Sequence, residues 1–247
     1  MNVLGYRRDF FMIRCMERRC GARFMLRMKD LYPRLSDASK TSHFDRHYVY
    51  YTSWAARILA RTKPALHVDI GSDLRFVTLV SAFLPIEHYD YRPASLHLPN
   101  LTSGFADLFA LPFPTGSVKS LSCMHVVEHI GLGRYGDPLD YDGDLKAIGE
   151  LNRVIAAGGD LIFVVPVGKP KILFNAHRVY SYQQIMSYFP DFTLREFALI
   201  PDEESVGIMT VEKTELASAK SVAEMERIAD SQEYGCGCFW FTREKQR

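Results

Sequence analysis

Residues 65–90 (ALHVDIGSDLRFVTLVSAFLPIEHYD) constrain the fold more than any other stretch of the chain. Leu66–Ile70 is a short apolar run that includes Asp69, and Gly71 breaks it. Phe76, Val77, Leu79, Val80 and Phe83 then recur at helical spacing as far as Pro85, and a second run ends on His88-Tyr89-Asp90. Strand, glycine turn, helix and strand make up the opening half of a nucleotide-binding βαβ unit. Strands joined in this way lie parallel and need helices on both faces of their sheet.

The rest of the chain keeps the alternation. Ser103–Asp107 reads as a third strand and Val118–His125 as a fourth, with a Leu111–Ser117 turn between them. A glycine-rich loop, Gly131–Asp142, precedes a helix over Asp144–Ala156 in which Leu145, Ile148, Leu151 and Ile155 share a face, and Gly158 is placed to follow its C-cap. Asp160–Pro166 is the fifth strand. Ser181 with Gln184 matches a capping box opening a short helix, Phe192–Ile200 the sixth strand, Leu216–Ser231 a helix, and Cys238–Thr242 the last strand. Upstream, Ser42 opens a helical pattern through Phe44, His47, Tyr48, Tyr51, Ala55, Ile58 and Leu59 that stops at Pro64. Such a helix covers one sheet face or lids a pocket, and core packing is the expected role of its aromatics. The expected class is α/β: a Rossmann-like, doubly wound, mostly parallel seven-stranded sheet over residues 42–247, with an N-terminal helical extension and linker over residues 1–41.

With 247 residues, 47% of them hydrophobic, the chain can bury a large core, and its net charge of +1 argues against a general nucleic-acid binder. The five cysteines, Cys15, Cys20, Cys123, Cys236 and Cys238, match no disulfide or zinc spacing, so reduced thiols, a cytoplasmic setting and no metal are expected. No apolar run is long enough for a membrane span. Residues 1–29 are basic, with Arg7, Arg8, Arg14, Arg18, Arg19, Arg23, Arg27 and Lys29 against Asp9 and Glu17, interleaved with Phe10, Phe11, Ile13, Met16, Phe24, Met25 and Met28. This segment reads as a helix that packs its apolar residues and solvates its arginines, as a peripheral contact with an anionic membrane, or as a mitochondrial-type presequence, against which the near absence of serine counts.

Ligands of open parallel sheets bind beyond the carboxyl ends of the strands. The polar residues there are Asp69 and Gly71, Asp90, Asp107, and His125 with Glu128 and His129. A carboxylate after the second strand suits the two hydroxyls of a ribose, one after the third suits an adenine amino group, and a glycine in the first turn lets the backbone approach closely. His129 or Glu128 could deprotonate an attacking hydroxyl. His125-x-x-Glu128-His129 also matches an inverted zinc-peptidase pattern, but that chemistry needs both histidines on a helix, and His125 ends a strand. In the loop, Arg134 suits a phosphate or carboxylate and Tyr135 a ring, or else Arg134 pairs with Asp137 or Asp140. His177 and Arg178 offer a second route into the same face. A dehydrogenase would want G-x-G-x-x-G after the first strand, which Gly71–Phe76 does not supply.

Asp69-Ile-Gly71, Tyr89-Asp90, Ala106-Asp107, Leu111-Pro-Phe113, Val127-Glu128-His129, and Leu151–Val154 with Ala157–Leu161 resemble the class I S-adenosylmethionine-dependent methyltransferases over about Leu66–Phe197. More narrowly, His129–Asp137 and Phe174–Arg178 look like the family of unknown function DUF268. The resemblance implies S-adenosylmethionine as cofactor, held by Asp69, Gly71, Asp73, Asp90 and Asp107. The second glycine of the usual first turn is here Asp73, suited to the cofactor's ammonium group, and the third is Arg75, expected to point outward. It further implies methyl transfer to a small hydroxylated molecule such as a sugar, with His125, Glu128 and His129 as the catalytic groups and Arg134, Tyr135, His177 and Arg178 against the acceptor. A non-catalytic domain of the same fold, binding a nucleotide or a protein partner, is the alternative.

Overall fold

The computed structural model describes residues 2–19, 21, 24–35, 37, 42–212 and 219–245. Two compact units divide the chain, Met1–Phe44 and Asp45–Arg247. In the first, helix α1 (Val3–Arg19) has no acid in its first turn and ends on Arg18 and Arg19, which complement the carboxyl end of its dipole. The Leu26 amide donates back to Glu17 Oε1 at 3.0 Å. Cys20, Arg23, and Ser36, Ser39, Lys40 and Thr41 of the expected linker lie outside the described residues.

The second unit opens with α2 (Arg46–Thr62). Asp45, not Ser42, caps it, accepting from the Tyr48 amide, and Lys63 ends it in the left-handed region ahead of Pro64. The strands are β1 (His67–Ile70), β2 (Ile86–Asp90), β3 (Leu101–Phe105), β4 (Val118–Met124), β5 (Ile155–Val167), β6 (Lys171–Leu173), β7 (His177–Val179), β8 (Phe192–Ile200), β9 (Met209–Glu212) and β10 (Gly235–Arg243). Between them run α3 (Leu74–Val80), α4 (Gly143–Val154), α5 (Tyr182–Tyr188) and α6 (Ala219–Asp230). The expected start of α6 near Leu216 lies outside the described residues.

The main sheet runs β3-β2-β1-β4-β5-β10-β8-β9. Its first five strands are parallel, and β10 lies antiparallel between β5 and β8. This is the expected doubly wound, mostly parallel sheet with one strand more than the seven expected. The eighth is β9, a four-residue run that pairs Met209–Glu212 antiparallel with Glu196–Leu199 at the edge. A separate hairpin, β6–β7, was also unexpected.

Side-chain alternation along the central strands feeds two cores. Leu161, Phe163 and Val165 of β5 and Phe239 and Phe241 of β10 pack with α4, α5 and α6. Ile162, Val164, Cys236 and Cys238 pack with α2 and α3 on the opposite face. Gly158 does not follow the C-cap of α4. That helix ends at Val154 and passes directly into β5, and Gly158 (φ +75°) shapes a bulge between the pairs Val118↔Ile155 and Ser120↔Asp160.

Candidate active site at the carboxyl ends of the parallel strands

The turn after β1 is built around Gly71, whose φ of +69° is left-handed. A β-carbon there would stand 3.1 Å from Val126 and 3.8 Å from Asp90 Oδ2. The bare backbone of Gly71 therefore faces the Asp90 carboxylate across a narrow cradle. Asp90 is half-buried, and among the described residues its carboxylate accepts only from the Arg92 amide, at 2.7 Å on Oδ1. Asp107, also half-buried, accepts from the Phe109 amide at 2.8 Å. The lone pairs these bonds leave over can meet hydroxyl or amino donors of a ligand.

Asp69 does not face that cradle. It is fully buried beneath the turn, where its carboxylate accepts from Ser122 Oγ, the Ser72 amide at 3.2 Å and His88 Nδ1 at 2.8 Å. Asp69 thus braces β1 against β2 and β4, which corrects its expected place as a direct cofactor ligand. His67, fully buried on the same strand, bonds Ser120 at 2.8 Å and Ser122 at 2.9 Å, and burial pushes its pKa down to about 4. Asp73 caps α3 through the Arg75 amide, and the Arg75 guanidinium clasps its carboxylate at 2.7 and 3.0 Å. This pairing holds Asp73 below the usual carboxylate range. Arg75 points outward as expected, but it takes up the carboxylate that was expected for the cofactor's ammonium group.

The end of β4 supplies the polar centre. His125 has a left-handed backbone (φ +56°), uncommon outside glycine, and Val127–His129 form a single 3-10 turn rather than a helix. Its Nδ1 stands 2.8 Å from Glu128 Oε1 and its Nε2 3.4 Å from Cys236 Sγ. Its ring stacks beside His47 and Tyr48. Glu128 is fully buried. Burial alone would raise its pKa, but the hydrogen bond from His125 and the nearby His125 and His129 rings outweigh that and hold it low. Both nitrogens of His125 and the whole of Glu128 therefore sit in the protein wall, not at an acceptor-facing surface. Of the three residues expected to be catalytic, His129 is the least buried. Its Nδ1 lies 2.6 Å from the Ala176 carbonyl and 3.1 Å from Arg134 Nη1, and its Nε2 lies 3.7 Å from Glu128 Oε1.

Around His129 the structure gathers His177, Arg134 and Tyr135. The His129 ring lies 6.3 Å from His177 and 5.7 Å from Tyr135, and Arg134 donates to the same Ala176 carbonyl at 3.1 Å. Tyr135 lies under the guanidinium groups of Arg134 and Arg92. Arg134 pairs with neither Asp137 nor Asp140. Asp137 accepts from the Gly131, Gly133 and Tyr135 amides, and Asp140 pairs with Lys146. Burial lowers the pKa of His177, and its Nε2 is buried with no hydrogen-bond partner. Arg178 is corrected: it is buried, donates to the carbonyls of Ile130 and Tyr141 at 2.7 and 2.9 Å, and sits 3.4 Å from Asp144. It fastens the glycine-rich loop and has no donor to spare for an acceptor.

Four contributors were not read as site residues from the sequence. His47 and Tyr48 reach the His125 ring from α2, and Tyr234 links His47 and His177 at ring separations of 5.1 and 4.7 Å. The fourth, Cys236, is fully buried against His125. His47, His125 and Cys236 bring their ligand atoms within 4.8 Å of one another. Burial and the neighbouring His125 push His47 down to about 4. No local pattern announces this cluster, because its members come from a helix, a strand end and the last strand.

A search of curated proteins finds no match. Among solved structures, a chain of the Haloferax volcanii complex between the Trm112 methyltransferase activator and its assigned methyltransferase superposes with a TM-score of 0.51 at 16% identity, covering 82% of this chain and 92% of that one. The Burkholderia thailandensis 1,6-didemethyltoxoflavin-N1-methyltransferase, solved with 1,6-didemethyltoxoflavin and S-adenosylhomocysteine, gives 0.51 at 10% identity and 79% coverage of both chains. The [4+2]-cyclase SpnF gives 0.50 at 12% identity, covering 79% of this chain and 82% of that one. At these identities the likeness establishes the class I methyltransferase fold. Residues 77–226 match the family described as Caenorhabditis protein of unknown function, DUF268; the match spans more than half of the chain, which belongs to that family.

Proposed function

We propose that the protein is an S-adenosylmethionine-dependent methyltransferase acting on a small hydroxylated molecule, with a sugar as the example to test first. The observation that carries this reading is the cradle between the bare Gly71 backbone and the Asp90 carboxylate, with Asp107 beyond the neighbouring strand. The residues present fit the nucleoside half of that cofactor: Asp90 would hold its ribose hydroxyls, Asp107 its adenine amino group, and Gly71 leaves the close approach that a β-carbon would fill. When bound, the cofactor supplies an electrophilic methyl group. The chain's own work is to position the acceptor and exclude water. His129, held with its Nδ1 2.6 Å from the Ala176 carbonyl, would be the base that takes a hydroxyl proton. Arg134 and Tyr135 offer a cation and a ring face beside it.

One observation favours the non-catalytic reading: Asp73 and Arg75 occupy glycine positions of the usual turn and are bound to each other. SpnF shows that this fold also serves a [4+2]-cyclase, so fold alone does not decide. Isothermal titration with S-adenosylhomocysteine separates the readings. Micromolar binding that is lost in Asp90→Ala supports the methyltransferase; no heat at millimolar ligand removes it. The basic helix α1 and its exposed Phe11, Ile13 and Met16 further support a peripheral contact with anionic membranes through residues 1–29. Among the described residues, no helix is long and apolar enough to cross a membrane.

A further inference from the structure

We infer that His47, His125 and Cys236 form a binding site for a zinc-class divalent cation. Two imidazoles and a thiolate are the donor set such a cation prefers, and three protein ligands leave one position for water or an oxygen donor. The spacing fits. Nitrogen and sulfur ligands on one tetrahedral zinc stand about 3.5 Å apart, and His125 Nε2 lies 3.4 Å from Cys236 Sγ. His47 completes a group whose ligand atoms all fall within 4.8 Å, so a shift of the partly exposed His47 ring would close the set.

The surroundings are built as metal sites are built. Glu128 Oε1 accepts a hydrogen bond from His125 Nδ1–H at 2.8 Å, which fixes the tautomer and leaves the Nε2 lone pair for the cation. Glu128 is fully buried and its Oε2 has no hydrogen-bond partner, so its charge is met on Oε1 alone, by the His125 and His129 rings. A dication, one thiolate and the Glu128 carboxylate sum to zero. The left-handed backbone of His125 is strain of the kind that a ligand position can repay. Cys238 Sγ stands 3.9 Å from Cys236 Sγ, on the same face of β10, behind the trio. The three ligands come from the first turn of α2, the end of β4 and the start of β10, so the cation would tie together elements distant in sequence.

The site does not depend on methyl transfer, and its test reads metal alone. The full chain, stripped with a chelator and reloaded with Zn²⁺, should hold about one equivalent by elemental analysis and melt at a higher temperature than the stripped protein. Loaded with Co²⁺, it should show a thiolate-to-cobalt charge-transfer band that Cys236→Ser abolishes. Because Cys236 is buried, His47→Ala provides the second arm: it should lose the equivalent of zinc and the zinc-dependent rise in melting temperature. Less than a tenth of an equivalent on the wild type, or His47→Ala binding zinc as the wild type does, overturns the site.

Discussion

Gly71 shows how much can rest on one missing side chain. Its left-handed backbone disfavours any other residue, and an added methyl would press on Val126 from 3.1 Å. Gly71→Ala should lower unfolding stability by about 1–3 kcal/mol in urea titration, and should weaken S-adenosylhomocysteine binding beyond what that loss explains. His67 sets a pH dependence with a definite sign. Its folded pKa of about 4 lies below the unfolded value of 6.5, so the unfolded chain binds the proton first. Stability is full above pH 6.5, falls as pH drops through the interval to about 4, and stays reduced below it. The loss from this one group amounts to about 3 kcal/mol. In urea midpoints measured from pH 7 to pH 4, His67→Gln should be visibly flatter; an unchanged slope would assign the acid sensitivity elsewhere. At this scale the sequence was legible where a residue's position is set locally. Gly71, Asp90 and Asp107 sit where a parallel sheet puts them. Asp69, Arg178 and His125 were misread because burial decides what a polar side chain touches, and burial is set by neighbours far along the chain.

Among the elements, the loop from Gly131 to Asp142 has the least regular structure and the most elaborate fastening. Asp137 gathers its amides from inside, while Arg178 binds its carbonyls at both ends from β7 and pairs with Asp144 at the head of α4. Arg178→Ala leaves those carbonyls and a buried carboxylate without their cation, a loss of about 3–5 kcal/mol. Hydrogen exchange should then report lost protection across the loop and the first turn of α4. Uniform loss over the whole sheet would indicate general unfolding instead. The elements that periodicity and caps define were read well: the Ser181 capping box is formed on both sides, and β8 spans the expected residues. The hairpin β6–β7 and the edge strand β9 escaped because runs of three and four residues carry too little alternation to stand out.

For the whole molecule, the mostly parallel sheet and its two helix-covered faces follow from the alternation of segments that begins at Leu66, whereas the insertion of β10 between β5 and β8 does not. What alternation cannot convey is convergence: Cys236 meets His125 across 111 residues. The unit holding α1 is a separate matter. If residues 1–29 contact membranes, anionic vesicles should sediment the full chain and leave a chain lacking those residues in the supernatant, and added salt should release the former. Equal sedimentation of the two would end that proposal.

The position of β10 has a consequence for how the protein is made. Of the ten strands among the described residues it is the last that a ribosome delivers, yet it lies inside the sheet, between β5 and β8. Until Gly235–Arg243 emerge, the nascent chain has a parallel half-sheet ending at β5 and a detached β8–β9 pair, each with an edge open where β10 will pair. The partner of His125 on β10 is missing for the same interval. Closure is thus a late, single event, and nascent chains arrested before Gly235 should be digested by protease at lengths where a fold closed from its amino-terminal side would already resist.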